Sequence, residues 1–285
     1  MASPEVYYQN HKGDKFILNG DGLTFMDLTP VRSFAWNYNV SNRVNGMGSL
    51  ANGFARWARN VDIEIRQRGF TKEQFYSQMN RLHEVTEIDC LSEEPGRLYA
   101  CGQYLTCFLS VAGEIENNAY YTNFAYRKAN VLIVEPFWCT ETTTIFHIAS
   151  DDSLDTTGKR YKLKYPYRYG TSFSSNKLIN THYADCPAII TIYGAADNPS
   201  VVINDNVLNV DVTLTATQRL VIDQVDKKIY TVDSAGARTN VFNKRNKAYD
   251  IFEPLKSGEN TVVYDGTFMM TISLIARRSE LRWTS

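Results

Sequence analysis

The chain has 285 residues, and 30 Lys and Arg against 31 Asp and Glu leave a net charge of −1. An apolar fraction of 44 % with 21 % charged residues is a globular balance, which excludes a disordered chain and a nucleic-acid binder working through an overall positive field. The aromatic share of 13 %, led by 18 Tyr, favours strands and wet interfaces, and the length suits one large or two ordinary domains.

Met1-Ala2-Ser3-Pro4-Glu5-Val6-Tyr7-Tyr8 lacks a basic start followed by an apolar run, so no secretory signal is expected. No stretch approaches the ~18 consecutive apolar residues of a membrane helix. Phe34, Trp36, Tyr38 and Val40 alternate with Ala35, Asn37 and Asn39, which places the large groups on one face of a strand. Asn45-Gly46-Met47-Gly48-Ser49 reads as a loop or hairpin tip, and Val61, Ile63 and Ile65 mark another strand. A helix is expected over about 71–85. Thr71 caps it, Gln74 completes a capping box, and Phe70 and Phe75 have the spacing of a hydrophobic staple. Phe75, Met79 and Leu82 then form its apolar stripe, set to cover one face of a sheet. Strand regions follow at about 98–111 and 120–134.

Val134-Glu135-Pro136-Phe137-Trp138 marks a boundary, giving domains 1–136 and 137–285. Their charges barely differ, with 13 basic and 15 acidic side chains in the first and 17 and 16 in the second. Pattern separates them: the first half is mixed, with one helix, and the second is almost entirely β. Strands are expected at 188–193, 201–203, 207–214, 219–223 and 228–232. Asp265-Gly266, between Thr261-Val262-Val263-Tyr264 and Phe268-Met269-Met270, carries a two-residue hairpin signal. The fold class is therefore mainly β with minor α, ending in a β-sandwich or jelly roll.

The chain holds no G-x-S-x-G elbow, P-loop, H-E-x-x-H or G-x-G-x-x-G. Glu114 and Glu116 imitate an acid/base pair but read better as solvated carboxylates beside a Gly-Asn turn. His11, His83, His147 and His182 lack ligand spacing, and Asp151, Asp152 and Asp155 lack that of a calcium loop, so no metal and no cofactor are expected. Cys90, Cys101, Cys107, Cys139 and Cys186 form no C-x-x-C pair and read as free, mostly buried thiols. The segment 159–169 interleaves five cations with Tyr161, Tyr165, Tyr167 and Tyr169. Tyr161, Tyr165, Tyr167 and Arg168 are its candidate contacts, for a protein partner or edge protection ahead of a glycan or a nucleic acid.

Two regions together carry a resemblance. One runs from Ala119 through Phe124-Ala125-Tyr126 to Pro136-Phe137-Trp138. The other takes, in order, Pro187-Ala188-Ile189-Ile190-Thr191-Ile192-Tyr193-Gly194, Asn198-Pro199, Gln218-Arg219-Leu220-Val221-Ile222-Asp223, Val241-Phe242-Asn243 and Phe252-Glu253-Pro254-Leu255. It closes on Leu255-Lys256-Ser257-Gly258-Glu259-Asn260-Thr261-Val262, where Ser257 stands in place of the usual proline. These segments resemble the distal tail proteins of long-tailed bacteriophages. Gly258 suits a turn of positive φ and Asn260 a bond to its own turn backbone.

The resemblance implies a ring, usually a hexamer, formed by the N-terminal domains, with a galectin-like sandwich outside it. Such a ring joins the tail tube to the tail-tip hub or fibre and carries receptor-binding proteins. Its lumen passes DNA without sequence readout, and its place is the virion tail, assembled in the host cytoplasm. No catalytic residue is implied. A carbohydrate-binding adhesion protein is the alternative, and a glycan-degrading enzyme a more distant one.

Overall fold

A computed structural model describes residues 5–19, 23–111, 115–116, 123–148 and 176–282, with backbone alone for 115, 116 and 176. The chain divides into two compact units, Met1–Thr140 with Arg277–Ser285 and Glu141–Ala276. The break therefore falls a few residues beyond the expected 136, and the last residues of the chain return to the first unit.

The first unit opens with β1 (Val6–Gln9), β2 (Lys15–Asn19), β3 (Thr24–Met26), β4 (Asn37–Asn42), β5 (Ser49–Ala55) and β6 (Arg59–Arg68). Helix α1 (Lys72–Ser92) follows, then β7 (Gly96–Ala100), β8 (Gln103–Ser110), β9 (Ile115–Glu116), β10 (Phe124–Ile133) and the start of β11 (Trp138–Phe146). The pairing runs β8-β7-β1-β2-β3-β6-β10, and β10 bonds back to β8, so the circuit is barrel-like. Strict alternation puts Val6, Tyr8, Phe16, Leu18, Ile63, Ile65, Leu98, Leu105 and Val131 on the inner face. The expected strand at 98–111 is a hairpin, β7 and β8. Cys101 and Gly102 at its turn both have positive φ, 51° and 70°, which suits the twist of the flanking strands.

Thr71 Oγ1 accepts from Gln74 N–H at 3.1 Å, so α1 starts where its cap predicts. Gln74 Oε1 reaches back one residue further than a capping box requires and accepts from Phe70 N–H at 3.0 Å. Phe70 itself is 74 % exposed under the Arg68 guanidinium, so the staple does not bury it. The helix runs on past 85 because Val85, Thr86 and Asp89 continue the buried stripe begun by Phe75 and Leu82. It lies against β8, β2 and β6. The fully buried Trp138 donates from Nε1 to Val31 O at 2.9 Å. The returning C-terminal segment is held by Phe34 N–H to Ser279 O and Leu281 N–H to Arg32 O, both 2.9 Å.

The second unit contains the rest of β11, then β12 (Asn176–Asn180), β13 (Ala188–Tyr193), β14 (Ala196–Asp197), β15 (Ser200–Ile203), β16 (Asn206–Asn209), β17 (Thr213–Leu214) and β18 (Arg219–Asp223). It ends with β19 (Lys228–Val232), β20 (Arg238–Asn240), β21 (Gly258–Tyr264) and β22 (Met269–Arg278). One layer has the order β20-β19-β18-β13-β22 and the other β12-β21-β15-β16, with β14 paired to β17. Ile190, Ile192, Leu220 and Ile272 from the first layer meet Leu178, Val201, Leu208 and Val262 from the second in one core. That is a β-sandwich.

Two local readings change. The expected 207–214 strand breaks into β16 and β17, because Asp211 N–H turns aside to Lys244 O at 2.9 Å. Asp265-Gly266 is not a hairpin: β21 and β22 belong to different layers. Phe268, buried in the core, draws the connection across the sandwich, while Asp265 Oδ1 accepts from Thr267 N–H at 3.0 Å. Gly258 has φ +93°, and Asn260 Nδ2 donates to Lys256 O at 2.9 Å, as their turn requires.

Candidate functional site

Among the described residues, those singled out for chemistry do not converge. Tyr161, Tyr165, Tyr167 and Arg168, with Asp151, Asp152, Asp155 and Glu114, lie outside the described residues, and Glu116 is described only as backbone opposite Tyr126. His83 pairs with Glu87 one helical turn on at 3.2 Å, and His147 is exposed. Among the described residues no group of His, Cys, Asp and Glu is arranged to hold a metal ion.

His11 belongs to a network that the sequence does not announce. Asp89, fully buried on α1, accepts from Tyr8 OH at 2.6 Å and from His11 N–H at 2.9 Å, and its Oδ1 lies 2.6 Å from His11 Nδ1. Burial, reinforced by Cys107 and Asp89, raises the Tyr8 pKa, which keeps the phenol a donor. Gly96 makes the approach possible, since a Cβ there would collide with the Asp89 carboxylate and the Tyr8 hydroxyl. Both partners come from the β1 region, so the network ties the helix to the sheet. Burial also pushes Cys107 up to about 12 and Cys139 up to about 11, which leaves both thiols protonated and unreactive near neutrality.

In the second unit a cleft of about 300 Å³ is lined by Asn204, Asp205, Asn206, Tyr249, Asp250 and Lys256, among others. Part of its polar lining is committed to the chain. Asn204 bonds Asn260 Oδ1 and Thr261 N–H, Asn206 Nδ2 bonds Asp250 O, and Asp250 Oδ1 accepts from Phe252 N–H.

Among the described residues, an exposed apolar surface is carried by the ribbon of β4 and β5. Phe34 is buried, but the strand begins at Asn37, and Trp36, Tyr38 and Val40 face solvent rather than one covered face. Tyr38 and Phe54, opposite each other, are each 63 % exposed, and Leu50 is 54 % exposed. Val44, Met47 and Trp57 are still more open. Every residue of β4 is exposed. The root is fastened: the Arg56 guanidinium lies 3.7 Å from the Trp36 ring centre and 4.7 Å from that of Phe137. Contiguous exposed apolar patches on a protein surface mark places where another surface lands. The signal in the sequence is the absence of any carboxylate from 28–61, a stretch rich in large apolar residues.

A barrel-like unit with one helix and a projecting ribbon, joined in sequence to a β-sandwich, defines the architecture to be compared. No family model matches the sequence, and no curated protein matches it. Solved structures do. The Dit protein of phage SPP1, described as a paradigm of the hub adsorption apparatus of phages infecting Gram-positive hosts, matches over 96 % of this chain and 99 % of its own, at 11 % identity and a TM-score of 0.55. A chain of the phage P2 baseplate in its activated conformation with Ca matches over 99 % and 100 %, at 11 % identity and a TM-score of 0.62. Its counterpart with Sr matches over 98 % and 99 %, at 10 % identity and the same score of 0.62. The protein has a Dit-like fold, mainly β with one α-helix among the described residues.

Proposed function

We propose that this chain is a structural protein of a phage tail tip whose copies close into a ring, hexameric in the form the sequence resemblance implies. The first unit makes the ring, and the second stands outside it as a galectin-like bracket. The ring joins the tail tube to the tip hub or fibre, carries receptor-binding proteins and leaves a lumen for DNA. It is built in the host cytoplasm and works in the virion tail.

The observation that carries this reading is the length of the fold match. It spans nearly all of this chain and of the phage hub and baseplate chains alike, so it concerns the order of both units rather than a shared sandwich. The exposed β4–β5 ribbon supports it independently, because a ring needs uncovered apolar surface on each copy. The neighbours' hub and baseplate descriptions also favour a non-enzymatic role. Native mass spectrometry and negative-stain images of the purified full chain test the reading. Closed rings of six copies are expected, and a protein that stays monomeric at tens of micromolar overturns it.

A further inference from the structure

We propose that the β4–β5 ribbon of one copy docks on the acidic C-terminal half of α1 in the next copy. The proposal rests on the ring reading and names the contact that closes the ring. Its basis is a match between two exposed surfaces of the same unit.

The ribbon side is apolar with a cation at its tip. Residues 37–55 contain Arg43 and no carboxylate. Arg43 stands at the tip with Val44 and Met47, and Leu50 is close behind. A two-stranded ribbon is marginal in water without a third surface against it. Here the described residues of its own unit supply none beyond the root.

The helix side is the complement. From Leu82 to Glu94 the chain has five carboxylates and neither Lys nor Arg. Asp89 is spent on Tyr8 and His11 and Glu87 meets His83, while Glu84, Glu87, Glu93 and Glu94 are all exposed. The last turn of α1 has no basic residue. Carboxylates at a helix C-terminus oppose the macrodipole, so that end gains from a cation supplied from outside. Glu84, Glu87 and Leu91 follow one another at three- and four-residue spacing on one face, and Leu91 is 78 % exposed. An apolar residue set among glutamates fits an arginine tip set among apolar residues.

The two surfaces are different patches, so the contact is heterologous. Each copy offers one arm and one helix, and addition continues until the rotation closes. Because the exposed charges are screened by salt, assembly should weaken as ionic strength rises.

The test uses the full chain and its exposed Cys90, next to Leu91. Under mild oxidation Met47→Cys should give a reducible ladder of covalently joined copies. Wild type and Met47→Cys/Cys90→Ser should not. In parallel, Arg43→Glu and Glu87→Arg should each weaken assembly on the order of tenfold, and the double variant should restore most of the loss. Unchanged thermal melting of the dilute variants separates these effects from misfolding. Rings that persist in both single variants without a ladder overturn the contact and leave the ring reading standing. Loss of rings from the ribbon variant alone places the arm elsewhere and also overturns the proposal. A wild-type chain that never assembles overturns both.

Discussion

Two antiparallel ribbons of similar length meet opposite fates. In β18 and β19, Leu220, Ile222 and Ile229 are buried, because the second layer of the sandwich covers their inner face. In β4 and β5, Tyr38, Val40, Leu50 and Phe54 are more than half exposed. Both ribbons are made of β-formers with turn residues between the strands, and neither could hold itself alone. One finds its cover within the chain. The other finds none among the described residues of its own chain. Apolar strand content therefore predicts a need for burial, and only long-range packing decides whether the same chain meets it.

The comparison breaks first at the covered ribbon. Ile222→Ala should lower stability by about 2–5 kcal/mol in chemical denaturation, since the lost side chain leaves a cavity in the sandwich. A loss within the noise would show that this layer is no better packed than the exposed arm. Alkaline pH is the second probe, aimed at the covered part of the first unit. Burial raises the Cys107 thiol from 9.0 to about 12 and the Cys139 thiol from 9.0 to about 11. The folded state favours the protonated form of both, so their contribution is complete below about pH 9 and is lost as pH climbs through 11 and 12. Melting temperature followed from about pH 8 upward should fall less steeply in Cys107→Ala than in wild type.

Smaller effects sharpen the contrast at the helix that the arm is proposed to reach. Gly96→Ala forces a Cβ against Asp89 and Tyr8 and should cost about 1–3 kcal/mol, read by urea unfolding. Thr71→Ala removes the cap bond to Gln74 N–H and should cost about 1 kcal/mol, and an unchanged melting temperature would detach the cap from stability. At the small end, Leu50→Ala should move monomer stability by less than about 0.5 kcal/mol, because that side chain has little cover to lose. The same variant should nevertheless reduce ring formation in native mass spectra.

The site was less legible than the fold. The tyrosine and cation strip at 159–169 drew attention by composition, but Tyr161, Tyr165, Tyr167 and Arg168 lie outside the described residues. The ribbon around Tyr38 and Phe54 reads in sequence like any half-buried strand pair, and exposure leaves no local mark except the missing carboxylates. Asp89 is one acid among several on an acidic helix. Its burial follows from the strands that supply Tyr8 and His11 nearly eighty residues earlier.

Sequence alone determined what short-range forces decide. Alternation set β13, β18 and β19 at their observed limits, the Thr71 hydroxyl set the start of α1, and Gly258 set its turn through the steric freedom of a residue without Cβ. Tertiary structure alone decided that Asp265-Gly266 links two layers, that the chain end returns to the first unit, and that one apolar ribbon stays bare. Backbone hydrogen bonds and side-chain periodicity act over a few residues. Which face receives a cover depends on segments far apart in the chain, and no local pattern encodes their meeting.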